Sequence, residues 1–249
     1  MLTLNVNNDI IYSKINKKKE GLNMIKKRMN KGKIMLSQDE IINLDLYELT
    51  LLSSIKHIII SNYSSSDIKE IKLNDVLAVL NNGKELPRNN LRRDLSKSFR
   101  SLMSKDVLNI VNKVGKRYYI KRESVLVGSD NLYISITQDE FKDFFSTNLT
   151  SNLVKIYGYY IKLLSTFDIH TKVGFYSLDK LSEKFNMSKN SLIRYNSELE
   201  KRNLISIHRR KTFDESTGKF KSFNNVYFKP CDKEHICNWF KIDLEQTNK

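Results

Sequence analysis

Two stretches of this chain, NNLRRDLSKSFR (Asn89–Arg100) and NSLIRYNSELEK (Asn190–Lys201), repeat one another about a hundred residues apart. Wound as helices, they set Asn89, Arg93, Ser96 and Arg100 of one against Asn190, Arg194, Ser197 and Lys201 of the other, each pair offset by 101. At 100° per residue from Leu91 or Leu192, the four positions fall at about 160°, 200°, 140° and 180°, opposite the shared leucine. What recurs is therefore the outward side, polar and basic. A repeated solvent face points to a repeated binding surface, because packing leaves such positions free to vary.

The flanks of both stretches agree with each other. A short amphipathic segment precedes each one, Leu73–Leu80 (LNDVLAVL) and Leu178–Phe185 (LDKLSEKF). The first stops at Asn82-Gly83 and the second at Asn186, residues that tolerate the left-handed conformation of a helix end. In the second half, Phe185-Asn186-Met187 makes a tight connection and Ser188 is the N-cap of the next helix. Short helix, turn and polar-faced helix describe a helix-turn-helix. Strand-like sequence follows in each half. Val107–Asn112, a turn through Lys113-Val114-Gly115-Lys116, and Arg117–Lys121 read as a short hairpin with glycine at the bend. Leu204–Lys211, a tip from Asp214 to Gly218, and Phe223–Lys229 read as a longer one. The expected fold is α+β and mostly helical, with two tandem winged helix-turn-helix domains.

A second recurrence supports the duplication. Ser37-Gln38-Asp39-Glu40 and Thr137-Gln138-Asp139-Glu140 are offset by 100, and each has the form of a capping box. Behind them lie Leu44–Ile60 and Leu149–Leu164, with apolar residues at three- and four-residue spacing, read as the amphipathic packing helix of each half. Residues 1–34, rich in Lys and Asn, are expected to be a flexible basic arm, with a short strand near Ile10–Tyr12. Residues 35–125 form the first domain and 132–249 the second, joined through Arg122–Asn131. Asp232–Gln246, containing Trp239-Phe240, reads as a closing helix.

Charge narrows the function. Lys and Arg number 43 against 28 Asp and Glu, a net charge of +15 over 249 residues, which favours a polyanionic partner. A base-composition bias that enriches Lys, Asn and Ile accounts for the lysines, but it raises Glu as well and leaves the imbalance. No apolar run approaches the roughly 18 residues of a membrane span, and the first residues lack the order of a signal peptide, so a cytoplasmic protein is expected. The two cysteines, Cys231 and Cys237, flank His235 in PCDKEHIC. A closed zinc site needs two spaced pairs of ligands, and no second pair exists, so neither metal nor cofactor is expected.

Arg and Lys donate to guanine edges and Asn pairs with adenine, and the amino-terminal residues of a reading helix meet bases first. In the second half this nominates Lys189, Asn190, Ser191 and Arg194 for base edges, with Ser188 and Ser197 on the same face and Lys201 nearer phosphate. In the first half it nominates Asn89, Asn90, Arg92, Arg93 and Ser96, with Lys97 and Arg100 nearer phosphate. Lys113, Lys116, Arg117, Arg209, Arg210, Lys211, Lys219 and Lys221 on the hairpins are placed for sequence-independent backbone contacts. A solvated helix face would carry many of the same side chains, but not twice in register. The aromatics Tyr118, Tyr119, Phe223, Tyr227 and Phe228 read as core. Phosphate-loop, nucleophile-elbow and metalloprotease patterns are absent, as is a paired-histidine nicking site, so a binder rather than an enzyme is expected.

Two winged helices in one chain, each behind a long packing helix, resemble the tandem winged-helix replication initiators of bacterial plasmids. The segment NLVKIYGYYIKLLS…FYSLDKLSEKFNMSKNSLIRYNSELEKRNLI is similar to their second winged helix, and the resemblance spans roughly residues 35 to 230. It implies binding to repeated origin sites on double-stranded DNA, self-repression as a homodimer, and contact with host replication proteins. A transcriptional regulator of a mobile element or phage would use the same fold, and a protein-binding adaptor would use it without salt-dependent DNA binding.

Overall fold

The computed structural model describes residues 33–61, 67–85, 89–122, 133–209, 211–214, 219–222, 224–234 and 236. One order of elements occurs twice. The first half runs β1 (Lys33–Ser37), α1 (Gln38–Asn43), α2 (Leu46–Ser61), β2 (Ile68–Lys72), α3 (Leu73–Leu80), α4 (Asn90–Met103), β3 (Ile110–Val114) and β4 (Arg117–Lys121). The second runs β5 (Tyr133–Thr137), α5 (Gln138–Phe144), α6 (Ser151–Leu164), β6 (Val173–Tyr176), α7 (Leu178–Phe185), α8 (Lys189–Lys201), β7 (Ser206–His208), β8 (Lys211–Asp214), β9 (Lys219–Ser222) and β10 (Asn225–Phe228). The result is a mixed fold of helices and small antiparallel sheets.

Short-range chemistry sets the boundaries. Ser37 and Glu40 form the reciprocal box before α1, the Glu40 N–H donating to the Ser37 hydroxyl and the Ser37 N–H to the Glu40 carboxylate. Asp45 and Glu48 do the same before α2. Thr137 accepts from the Glu140 N–H, but Glu140 does not complete the expected box. Its carboxylate turns instead to the Tyr160 hydroxyl and to Lys229 at 3.0 Å, partners that reach it only once the chain has folded. Asn186 holds φ +49° where α7 stops, and Asn82 and Gly83 hold +53° and +78° after α3. Gly115, at φ +60°, opens the two-residue turn between Val114 and Arg117, the position where a hairpin turn calls for glycine.

Strands β1 and β5, ahead of the two capping motifs, went unread in the sequence, as did β2 and β6. β2 and β6, between each long helix and the short helix after it, pair with the returning hairpin strand to give sheets ordered β2-β4-β3 and β6-β10-β7. The β3–β4 turn is also shorter than expected, because Lys113 and Val114 remain in the ladder. The second hairpin is extended by the β8–β9 ribbon.

The halves are joined about an approximate two-fold axis. β1 pairs antiparallel with β5 so that Met35 faces Ser135, while Lys33 faces Thr137 and Ser37 faces Tyr133. Because these strands are equivalent at an offset of 100, each end meets the other's opposite end, as in an isologous interface. β1 begins at Lys33 and buries Ile34 completely, so the two residues at the end of the expected arm belong to the folded body. The rest of the arm, Asn131, residues 123–130 of the expected junction and most of the expected closing helix lie outside the described residues. At Pro230–Asp232 the chain makes a 3₁₀ turn.

α2 crosses α6 at close range. A Cβ on Gly158 would lie 2.2 Å from the Leu46 carbonyl oxygen, so the backbones meet where only glycine fits. Beside the crossing, Thr50 Oγ1 lies 2.9 Å from the Val154 carbonyl oxygen, the Tyr47 and Ser151 hydroxyls hydrogen-bond, and His57 stacks on Phe141 at 4.9 Å. α2 is not amphipathic as expected: Glu48 to Ile60 are all buried, including Lys56 and His57. A helix covered on every side by α6, α4, α3 and β1 has no solvent face to reserve for polar residues. One continuous apolar core runs from Ile34 through α2 and α6 to Tyr227, with a small satellite under β6 and β10.

Candidate nucleic-acid interface

α8 is seated by its buried side. Leu192, Tyr195, Asn196 and Leu199 are buried, and the Tyr159 hydroxyl donates to Asn196 Oδ1 at 2.7 Å, giving the buried amide oxygen a partner. At its carboxyl end Arg202 pairs with Glu198, donates to the Phe144 carbonyl oxygen and lies over the Phe144 ring. At its amino end Ser188 accepts from the Ser191 N–H, and Ser182 and Met187 exchange backbone and hydroxyl bonds across the turn from α7. What faces solvent is Lys189, Asn190, Ile193, Arg194, Ser197 and Lys201. Asn190, Ile193, Arg194, Ser197, Glu198 and Lys201 line a shallow groove of about 340 Å³.

α4 is seated in the same way with different chemistry. Leu95, Phe99, Leu102 and Met103 are buried, and Glu48, 2 % exposed, accepts from Ser101 Oγ and Lys105 Nζ at 2.7 Å each. Burial disfavours the charge on Glu48, yet hydrogen bonds from Lys105, the Asp45 N–H and Ser101 outweigh it and hold the carboxyl below its ordinary range. Phe99 meets Tyr118 edge-on at 5.6 Å, which fixes the β3–β4 hairpin against the helix. Asn89, Asn90, Arg93, Lys97 and Arg100 are exposed. A groove of about 890 Å³ separates the end of α4 from the hairpin, with Arg100, Lys105 and Lys113 along it over Met103, Val107 and Tyr118.

Buried positions set the equivalence of the two helices. Leu95, Phe99 and Leu102 match Leu192, Asn196 and Leu199, each at an offset of 97. The offset of 101 is four residues away, about one helical turn, so it preserves the angular face while displacing it along the axis. Lys97, not Arg93, therefore stands where Arg194 does, and Arg93 stands opposite Asn190. More residues also separate α3 from α4 than α7 from α8, nine against three.

Several expected contact residues are engaged within the protein. Arg92 is half-buried and donates to Asn74 Oδ1 at 2.8 Å, tying the start of α4 to the start of α3. Lys189 pairs with Asp179 at the equivalent place in the second half. Ser96 is half-buried with its hydroxyl given to the Arg92 carbonyl oxygen at 2.6 Å, and Ser191 is bonded to Ser188. Arg209 donates to Glu200 through Nη1 and Nη2, at 3.1 and 2.6 Å, which raises its already high pKa. Arg117 lies 3.8 Å from Glu70, which also holds Lys72.

Lys113 sits over Tyr118 at 5.3 Å, and Lys116 is exposed at the hairpin tip. Lys211 is on β8 and Lys219 and Lys221 are on β9, while Arg210 lies outside the described residues. Tyr118, Tyr227 and Phe228 are buried and Tyr119 is half-buried, as core residues; Phe223 lies outside the described residues. Cys231 is exposed, and His235 and Cys237 lie outside the described residues.

Ile193 and the carboxylates of Asp179 and Glu200 also belong to this surface, although an apolar side chain and acidic ones carry no nucleic-acid signal in the sequence. Among the described residues no helix is long and apolar enough to cross a membrane. Neither the protein-family models nor the curated proteins contain a match to this chain.

Proposed function

We propose that this chain is a sequence-specific binder of double-stranded DNA, built as two tandem winged helix-turn-helix units with α4 and α8 as reading helices. The observation that carries the reading is the twofold occurrence of a helix seated by its apolar side, with Asn and basic residues facing solvent, directly before an antiparallel hairpin. The excess of 15 positive charges supports a phosphate-rich partner. In this reading Asn190 and Arg194 meet base edges, as do Asn90, Arg93 and Lys97, the last two standing at the positions of Asn190 and Arg194. Arg100, Lys201, Lys113 and Lys116 meet the backbone, and the groove between α4 and its hairpin, with Arg100 and Lys113 along it, carries a phosphate strand. Lys189 and Arg209 exchange their carboxylate partners for phosphate on binding.

Within that class the reading is a cytoplasmic plasmid or mobile-element replication initiator at repeated origin sites. It acts by binding, without cofactor or catalysis, as a monomer or homodimer in contact with host replication proteins. Selection of bound duplexes from a random pool tests the first level. Recovery of one motif with two parts is expected, and recovery of none would remove the DNA-reading function. Maintenance of an origin plasmid carrying that motif as direct repeats, only when this chain is supplied, tests the second. Repression without replication would assign the chain to transcriptional control.

A further inference from the structure

We propose that Ile193 reads the 5-methyl group of a thymine in the major groove, which makes it a specificity-determining residue of α8. The proposal rests on the assignment of α8 as a reading helix. Ile193 is 52 % exposed, the one apolar side chain among the solvent-facing residues of that helix. Helix stability does not explain it, since a β-branched residue loses rotamer freedom in a helix and Lys or Glu would serve better in water. Packing does not explain it either, because the buried side of α8 is already complete with Leu192, Tyr195, Asn196 and Leu199.

Its neighbours carry the argument. Ile193 lies one turn from both Asn190 and Ser197 and beside Arg194, in the one groove those residues line. Asn190 is suited to an adenine edge, and Arg194 to a guanine edge. Three residues along a helix advance roughly 4.5 Å, close to the roughly 3.4 Å between base pairs. Ile193 therefore faces the base pair beside the one that Asn190 addresses. Among the major-groove edges of the four bases only thymine offers an apolar group, its 5-methyl. An apolar side chain set among hydrogen-bonding ones finds its complement there.

The first half lacks this feature. At the offset of 97 the residue equivalent to Ile193 is Ser96, whose hydroxyl is given to the Arg92 carbonyl oxygen. Methyl reading is thus confined to the part of the site that α8 occupies.

Deoxyuridine retains thymine's pairing and its O4 but lacks the methyl, so replacing each thymine of the selected duplex in turn isolates the contact. With the full chain, one position in the α8 half should lose affinity about three- to fivefold, the worth of one methyl group removed from water. In Ile193→Ala that position should become indifferent to the replacement, with thermal stability unchanged because the side chain is exposed. No sensitive thymine in the α8 half, or equal sensitivity in both proteins, would overturn the assignment while leaving DNA reading intact. Failure to select any duplex would take down both. A variant that differs from the parent only in self-association would assign Ile193 to a protein contact instead.

Discussion

Arg194 stands exposed on α8 with its guanidinium carbon 5.3 Å from the centroid of the Tyr195 ring, a cation–π contact. If that guanidinium meets a guanine, Arg194→Ala should relax preference at a single base pair and cost about 1–3 kcal/mol there. Competition binding against each single-base variant of the selected site measures it, and a loss uniform over all variants would place the arginine on phosphate. His57 offers a prediction that does not depend on DNA. Burial first, and the nearby Lys142 second, lower its pKa from 6.5 to about 4, and Nδ1 has no hydrogen-bond partner among the described residues. Protonation therefore favours the unfolded chain. Stability is complete above pH 6.5 and declines as the pH falls toward 4, by a total on the order of 3 kcal/mol. Urea midpoints taken across that window should slope in the parent protein and flatten in His57→Gln. The residue types of the candidate surface were legible in the sequence, but the identity of the free cations was not. Arg92, Lys189 and Arg209 look no different from Arg93, Lys97 and Lys201 until Asn74, Asp179 and Glu200 are brought beside them.

Elements were legible wherever their signals act over three or four residues. Both short helices, the Asn186 stop and the glycine of the first hairpin stand where propensity and capping put them. β2 and β6 were not, since IKEIK does not alternate and VGFY is short and does not alternate either, and each becomes a strand only by pairing with β4 or β10. Residue identities on the solvent face set α4 one turn away from the register that its buried positions give against α8, because a solvent face is less constrained than the positions that seat a helix. α1 and α2 are coupled by a buried pair. Lys56 Nζ lies 2.7 and 2.8 Å from the Glu40 carboxylate and 2.7 Å from the Met35 carbonyl oxygen. Glu40→Gln should cost about 3–5 kcal/mol by stranding the lysine charge, and adding Lys56→Met should recover most of it. Denaturation midpoints of the two single variants and the double variant close that cycle, and simple additivity would mean that the pair is not coupled. On the hairpins, Lys116→Ala should lower DNA affinity evenly over all sequences and reduce the salt slope by about one unit. An unchanged slope would show that the tip does not reach a phosphate.

At the scale of the whole molecule the halves share one core, and they are expected to unfold together. β1 and β5 pair across the axis, α2 is buried against α6, and the core is continuous through both. Gly158→Ala tests this, because its Cβ would fall on the Leu46 backbone, which cannot yield without parting the helices. The variant should lose about 3 kcal/mol, the upper part of the usual cost of an overpacked core, with a single transition in both halves. Two separated transitions in calorimetry would mean that the halves fold independently. Duplication, helix ends, turns and the basic face were already written in residue order, because capping bonds, glycine conformations and apolar periods are contacts among near neighbours. The shared core, the burial of Glu48, Lys56 and His57, and the pairing of surface cations arise between side chains tens of residues apart. Their neighbours exist only after the chain has closed on itself, so no local pattern encodes them, and only the folded protein shows which residues remain free to bind.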